Sequence, residues 1–155
     1  MPKEVMTRQA ADNVYLHRDF HGALSRGIDY LHQQFGAAAV RDYLWQFATA
    51  FYAPLKDDLK RRGLVAIQEH FERIYRTEGV SIECTRSADE LRLTVAACPA
   101  VTHMRRQGYP VAELFFETTR TVNETICDGT PFAAELVFYD FLTGKSIQRF
   151  YRRAS

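Results

Sequence analysis

The sequence predicts an α+β domain: N-terminal helices followed by a ββααββ unit with an antiparallel sheet covered by helices. Three observations predict it. Apolar residues recur at three- and four-residue steps through the first half of the chain. The period changes to two after Gly79. Two helical stretches then separate one pair of strands from another, and such grouped runs favour helices on one face of a sheet over alternating βαβ units.

Residues 1–13 are polar and read as a flexible end of one domain spanning 1–155. A first helix is predicted from Tyr15, with Leu16, Phe20, Leu24, Ile28, Leu31 and Phe35 on one apolar face and Gly36 as its stop. A second begins at Ala38 with the stripe Val40, Tyr43, Leu44, Phe47 and Phe51. Pro54 should kink or break it, since proline removes a backbone donor and clashes with the preceding turn. The apolar spacing resumes at Leu55 and Leu59 and ends at Gly63. A third helix places Leu64, Ile67, Phe71, Ile74 and Tyr75 inward, with Glu69–Arg73 and Glu72–Arg76 as i,i+4 pairs outside and Gly79 as its cap.

Val80–Arg86 and Leu91–Ala97 read as strands around the turn Ser87–Glu90. Pro99 suits the first position of a short helix ending at Gly108, which makes Cys98 its N-cap. Pro110 opens a longer helix, Val111–Ile126, stopped by Asp128-Gly129. The strands Phe132–Asp140 and Lys145–Arg152 close the domain around Thr143-Gly144.

Composition narrows the function. Apolar residues make up 46% of the 155, enough for a core, and 11 Phe and 8 Tyr favour a ring-rich core or pocket. With 20 basic and 19 acidic residues the net charge is +1, which gives no electrostatic reason to expect nucleic acid or an anionic membrane as partner. Arg149, Arg152 and Arg153 form a small basic tail that fits a solvated end or an anion site equally well. Three cysteines, an odd count without a C-x-x-C pair, argue against a disulfide framework or zinc ribbon and for a reducing, cytoplasmic setting. No secretory signal is seen, and no window approaches the roughly 20 apolar residues that span a bilayer.

Cys98 is the first candidate for chemistry. A thiol at a helix N-cap sees the positive end of the helix dipole and unpaired N–H groups, both of which favour the nucleophilic thiolate. His103 follows about one and a half turns later. The alternative is a small buried cysteine and a surface histidine. His17 and His21, four apart, put two imidazoles on one helix face, but a metal site needs a third ligand such as Cys98, His103 or Glu117. No metal or cofactor is predicted. On the long helix Phe116, Arg120 and Asn123 share one face, with Glu117 and Glu124 on the next. Arg120 suits a bidentate carboxylate clamp or a solvated charged face. Ser146, in Gly-Lys-Ser, does not form a phosphate loop. Cys84 and Cys127 read as structural.

The run C-P-A-V-T-H-M-R-R-Q-G-Y-P, the helix A-E-L-F-F-E-T-T-R-T-V-N-E-T-I-C and the closing G-K-S-I-Q-R-F together resemble the L-2-amino-thiazoline-4-carboxylic acid hydrolase family. The upstream block L-H-R-D-F-H-G-A-L is consistent with it, so the likeness extends from about residue 15. The resemblance implies hydrolysis at the carbon–nitrogen unit of a small cyclic amidine, a thiazoline carrying a carboxylate, to give N-carbamoyl-cysteine. The layout is also similar to 4-vinyl-reductase-type domains, which bind small ligands and often dimerise. Cys98 matches the family's Cys-Pro element. A second family cysteine is replaced here by Phe116, followed by Glu117, and a third by Ser146. These departures exclude a three-cysteine metal site and set two expectations side by side. The first is a hydrolase with Cys98 as nucleophile or key pocket thiol, proton transfer by His103, His17 or His21, and substrate contacts from Phe116, Glu117, Arg120, Asn123 and Ser146. The second is a non-catalytic small-molecule-binding module, with a homodimer expected.

Overall fold

Glycine and proline set the ends of the helical half in this computed structural model, which describes residues 19–155. Its helices are α1 (Asp19–Phe35), α2 (Ala37–Phe51), α3 (Ala53–Arg62) and α4 (Leu64–Thr77). Pro54 breaks the predicted second helix. It sits in the first turn of α3, and Tyr52 ends α2 and starts α3. Four helices therefore precede the sheet among the described residues, where the apolar pattern suggested three. Gly63 alone joins α3 to α4, at φ +72°, a left-handed backbone that side chains rarely adopt. The reading of residues 1–13, and the start of the first helix with His17, lie outside the described residues.

β1 (Ile82–Arg86), β2 (Glu90–Val95), α5 (Pro99–Arg106), α6 (Glu117–Cys127), β3 (Phe132–Tyr139) and β4 (Ser146–Arg152) follow in the predicted order. The sheet runs β1-β2-β4-β3, antiparallel throughout. Its register shifts between Leu136 and Phe138, where β3 bulges. Leu91, Leu93 and Val95 of β2 and Ser146, Gln148 and Phe150 of β4 are buried on one face, as the two-residue period requires. α4 packs on β1 and β2 on that face, and α6 on β3. On the other face Arg149 pairs with Glu90 at 3.1 Å and Glu135 at 3.3 Å. Arg152 pairs with Asp89 at 2.7 Å, and Arg153 donates to the Phe132 carbonyl at 2.9 Å. The basic tail is thus tied into the fold.

Two apolar clusters form. The sheet-side cluster joins Leu59, Leu64, Ile67, Leu91, Leu93, Ile126 and Phe150; the helix-side cluster joins Ile28, Val40, Leu44, Val101, Met104 and Phe115. The buried stripe of α2 is Val40, Leu44 and Ala48, while Tyr43, Phe47 and Phe51 are exposed. Phe20 and Phe35 are exposed as well, so the inward faces of the first two helices are narrower than the apolar pattern suggested. The expected i,i+4 pairs of α4 are replaced: Glu69 binds Arg62, and Glu72 accepts from Gln68.

The predicted helix over 111–126 is shortened at its start. Residues 113–116 form a turn, and Phe115, Glu117 and Thr118 donate to carbonyls three residues back. Ser25 of α1 causes this, because its buried hydroxyl accepts the Ala112 N–H at 2.8 Å and fixes the segment against α1.

The β3–β4 turn closes on the start of α5. The Cys98 N–H donates to the Thr143 carbonyl at 3.0 Å. Arg105 of α5 donates back to the Leu142 and Phe141 carbonyls at 2.7 and 2.9 Å. Gly144, at φ +69°, approaches so closely that a Cβ built there would stand 2.3 Å from Cys98 Cβ. Gly144→Ala is expected to cost about 2–4 kcal/mol, from overpacking plus left-handed strain. Urea unfolding measures it, and a loss under about 0.5 kcal/mol, the range of neutral surface changes, would show that the turn gives way freely.

Candidate functional site

Where the two apolar clusters meet, a cavity of about 170 Å³ remains. Drug-sized ligands occupy about 300–1,000 Å³, so this space suits a small molecule. Two helices wall it with the same spacing. α4 and its cap supply His70, Phe71, Ile74, Tyr75 and Glu78; α6 supplies Thr118, Thr119, Val122, Asn123 and Ile126. Both sets follow i, i+1, i+4, i+5, i+8, one helical stripe about 12 Å long at 1.5 Å per residue. Tyr52 lines the cavity from the α2–α3 joint, Gln148 from β4, His21 from α1, and Cys98, Pro99 and Ala100 from the start of α5.

Cys98 takes the predicted N-cap position, with extended backbone (φ −74°, ψ 124°) before Pro99. Its side chain closes no hydrogen bond on the first turn. Burial pushes its thiol up, against a smaller downward pull from the Val101 and Ala100 N–H groups; the Glu78 carboxylate adds a further push up. The helix N-terminus therefore acts as expected, but desolvation outweighs it.

His21 shares the cavity with Cys98 and stands 4.0 Å from the Glu78 carboxylate. Burial lowers its pKa, Glu78 partly restores it, and nearby His103 lowers it again. His21 is thus neutral near pH 7 and able to accept a proton. His103 itself does not line this cavity. It turns to Asp19, 3.2 Å away, and lines the neighbouring cleft with Thr102 and Arg106.

A buried polar chain forms the floor. Asn123 Nδ2 donates to Gln148 Oε1 at 2.8 Å, and Gln148 Nε2 donates to Ser146 Oγ at 3.0 Å. Ser146 therefore stands one hydrogen bond behind the cavity. Burial pushes the Tyr75 hydroxyl well up, and the proximity of Cys98 adds to this, so it stays a neutral donor.

The remaining predicted residues are assembled elsewhere. Glu117, with 0% of its side chain exposed, accepts from both Arg120 and Thr121 and lies 4.0 Å from Arg41. Arg120 is held by this carboxylate and lies over the Phe116 ring, 5.0 Å from its centroid. Phe116 packs against Tyr139 and Phe141. None of Phe116, Glu117, Arg120 and Ser146 lines the cavity, whereas Asn123 does. Among the described residues no three His, Cys, Asp or Glu side chains gather as a metal cluster, and no helix is long and apolar enough to cross a membrane.

No protein-family model matches this chain, and no curated protein does.

Sequence reasoning missed Glu78, His70, Tyr52, Thr118, Thr119 and Gln148, and took Tyr75 for core. The available signal was the stripe itself: His70 and Glu78 continue the face of Phe71, Ile74 and Tyr75, so two polar residues sit where an apolar helix face points inward. His70 is the most perturbed of them. Its Nδ1 lies 3.4 Å from Arg73 Nη2, its Nε2 is buried without a partner, and its ring meets Tyr52 edge-on.

Burial, aided by the Arg73 charge, lowers the His70 pKa from 6.5 to about 4. The unfolded chain takes up this proton as pH falls through 6.5, the folded chain only near 4, so folding stability falls with pH across that window. His21 acts in the same direction. The His70→Gln variant is expected to show a shallower loss than wild type between pH 6.5 and 4 in urea titrations. Identical slopes would mean that His70 is as readily protonated folded as unfolded.

Proposed function

We propose that this protein is a thiol-dependent hydrolase of small cyclic amidines, with Cys98 as nucleophile and His21 as proton carrier oriented by Glu78. The observation that carries the reading is one cavity lined by an N-capping thiol, a neutral imidazole and a carboxylate near that imidazole. The resemblance to the L-2-amino-thiazoline-4-carboxylic acid hydrolase family supplies the reaction class. It is supported by the Cys-Pro element at Cys98 and by the α+β order.

In this reading His21 takes the Cys98 proton as sulfur attacks the amidine carbon, forming a carbon–sulfur bond. The ring opens as its carbon–heteroatom bond breaks, and the leaving atom receives the proton from His21. In a thiazoline that atom is sulfur; in a ring with two nitrogens it is nitrogen. A water then adds to the same carbon, giving a proton to His21, and the Cys98 sulfur departs and recovers that proton. The sum is one water consumed and a carbamoyl-type product released. Tyr75, as a neutral donor near Cys98, supports charge at the attacked centre.

A second reading, a non-catalytic binding module, is favoured by one observation: burial holds Cys98 in its thiol form. The two separate in one experiment. Wild type and Cys98→Ser are incubated with a panel of cyclic amidines led by 2-aminothiazoline and L-2-aminothiazoline-4-carboxylate, and ring opening is followed by mass spectrometry. The hydrolase reading expects turnover by wild type, a loss of at least about 1,000-fold in Cys98→Ser, and a rate that rises about tenfold per pH unit near neutrality, as the thiolate fraction does below a raised thiol pKa. Turnover that survives in Cys98→Ser removes Cys98 from the mechanism. Binding without turnover in wild type leaves the binding module.

A further inference from the structure

The charge inventory of the cavity is lopsided. No lysine, arginine or aspartate lines it, and both lining histidines have lowered pKa values. Glu78 is the one carboxylate side chain that lines it.

That carboxylate is poorly compensated. Its side chain is 11% exposed, and the only basic group within 4.0 Å among the described residues is the neutral His21. It also caps the C-terminus of α4, where the helix dipole is negative and disfavours an anion. A mostly buried carboxylate in this position has a standing demand for a cation.

A second acceptor faces the same space. Asn123 is 5% exposed, and its Nδ2 is committed to Gln148 Oε1. Its Oδ1 has no protein donor among the described residues, yet it is not sealed in the interior. An Asn turned this way offers the cavity an acceptor. The rings of Tyr52, Phe71 and Tyr75 line the intervening wall, and aromatic faces attract cations.

We infer that the cavity selects a small organic monocation, an amidinium or protonated amine on a largely apolar body, and rejects a ligand bearing a carboxylate. Glu78 takes the charge, Asn123 Oδ1 takes one N–H, and the rings hold the body. A carboxylate on the ligand would meet Glu78 and no cationic side chain, because Arg120, the sequence-based candidate anchor, is bound to Glu117 outside the cavity. The inference rests on the reading that this cavity is the ligand site, but not on turnover.

Calorimetric titration tests it with 2-aminothiazoline and benzylamine as cations, and with L-2-aminothiazoline-4-carboxylate as the carboxylate-bearing partner of the first. Wild type is expected to bind 2-aminothiazoline at least tenfold more tightly than its carboxylate. Glu78→Gln is expected to lose at least tenfold in affinity for both cations and to narrow the gap to the carboxylate. Glu78→Ala, as a second variant, is expected to do the same, and melting curves establish that both variants remain folded. Equal or tighter binding of the carboxylate, unchanged cation affinity in both variants, or no binding of either cation to wild type would each overturn the inference. Cation binding without ring opening would remove the hydrolase reading and leave this one. Ring opening with a preference for the carboxylate would do the reverse.

Discussion

The arrangement depends on one close approach, that of the β3–β4 turn to Cys98. The sheet-side and helix-side clusters are separate apolar bodies, and the buried residues of α5 belong to the helix-side one. The start of α5 is fixed by the Cys98 N–H on the Thr143 carbonyl and by Gly144 pressed against Cys98, its end by Arg105 on two carbonyls of the same turn. Only a residue without a side chain permits that approach, and only a turn that returns its carbonyls inward gives Arg105 partners. The turn is itself braced, because the Asp140 carboxylate accepts from the Leu142 N–H and the Thr143 hydroxyl. The lowered pKa of Asp140 has the same hydrogen bonds as its main cause. The position of the thiol is therefore set by the sheet as much as by its own helix.

Two buried carboxylates show how the fold separates structure from function. Glu117 is fully enclosed and fully answered: Arg120 and Thr121 donate to it and Arg41 lies near. Burying a charge is costly, and such a set of partners is what makes it tolerable. Glu78 is nearly as enclosed but faces a cavity with a neutral imidazole beside it. The same residue type, fully buried in one place and 11% exposed in the other, closes a network in the first and leaves it open in the second. The proposed ligand site rests on that asymmetry more than on the presence of a cysteine.

Much of the fold was legible in the sequence because its signals are local. The switch from helical to alternating period located all four strands, and Cys98-Pro99 located the N-cap. Pro54 marked a boundary, although the pattern could not tell a kink from a break. The errors arose where distant residues decide. Ser25, far upstream, holds Ala112 and cuts short a helix that Pro110 and the apolar spacing would otherwise begin. Tyr43, Phe47 and Phe51 fit an apolar stripe as well as Val40, Leu44 and Ala48 do, and only packing against α1 and α6 chooses between them. Of the predicted site residues, Cys98, His21 and Asn123 line one cavity, although Asn123 does so with Thr119, Val122 and Ile126 rather than with Phe116 and Arg120. Arg120 does not, since a nearby buried carboxylate claimed it, and a sequence does not show which carboxylates are buried.

One tension remains within the cavity and has a physical resolution. A nucleophilic cysteine needs its thiolate, yet burial and the Glu78 charge both favour the thiol here. A ligand cation placed between them reverses the second effect: it neutralises Glu78 and adds a positive charge near sulfur, which stabilises the thiolate directly. The α5 N–H groups of Ala100 and Val101, outweighed in the empty cavity, then act in the same direction as the ligand. Under that reading the thiol is activated by the molecule it attacks and stays protonated otherwise. A low-pKa, exposed cysteine is nucleophilic at all times and oxidises readily, whereas one activated only by ligand charge is protected until it is needed. The buried position of Cys98 thus fits a nucleophile whose cation supplies part of the activation, and the same geometry without attack describes a receptor for that cation.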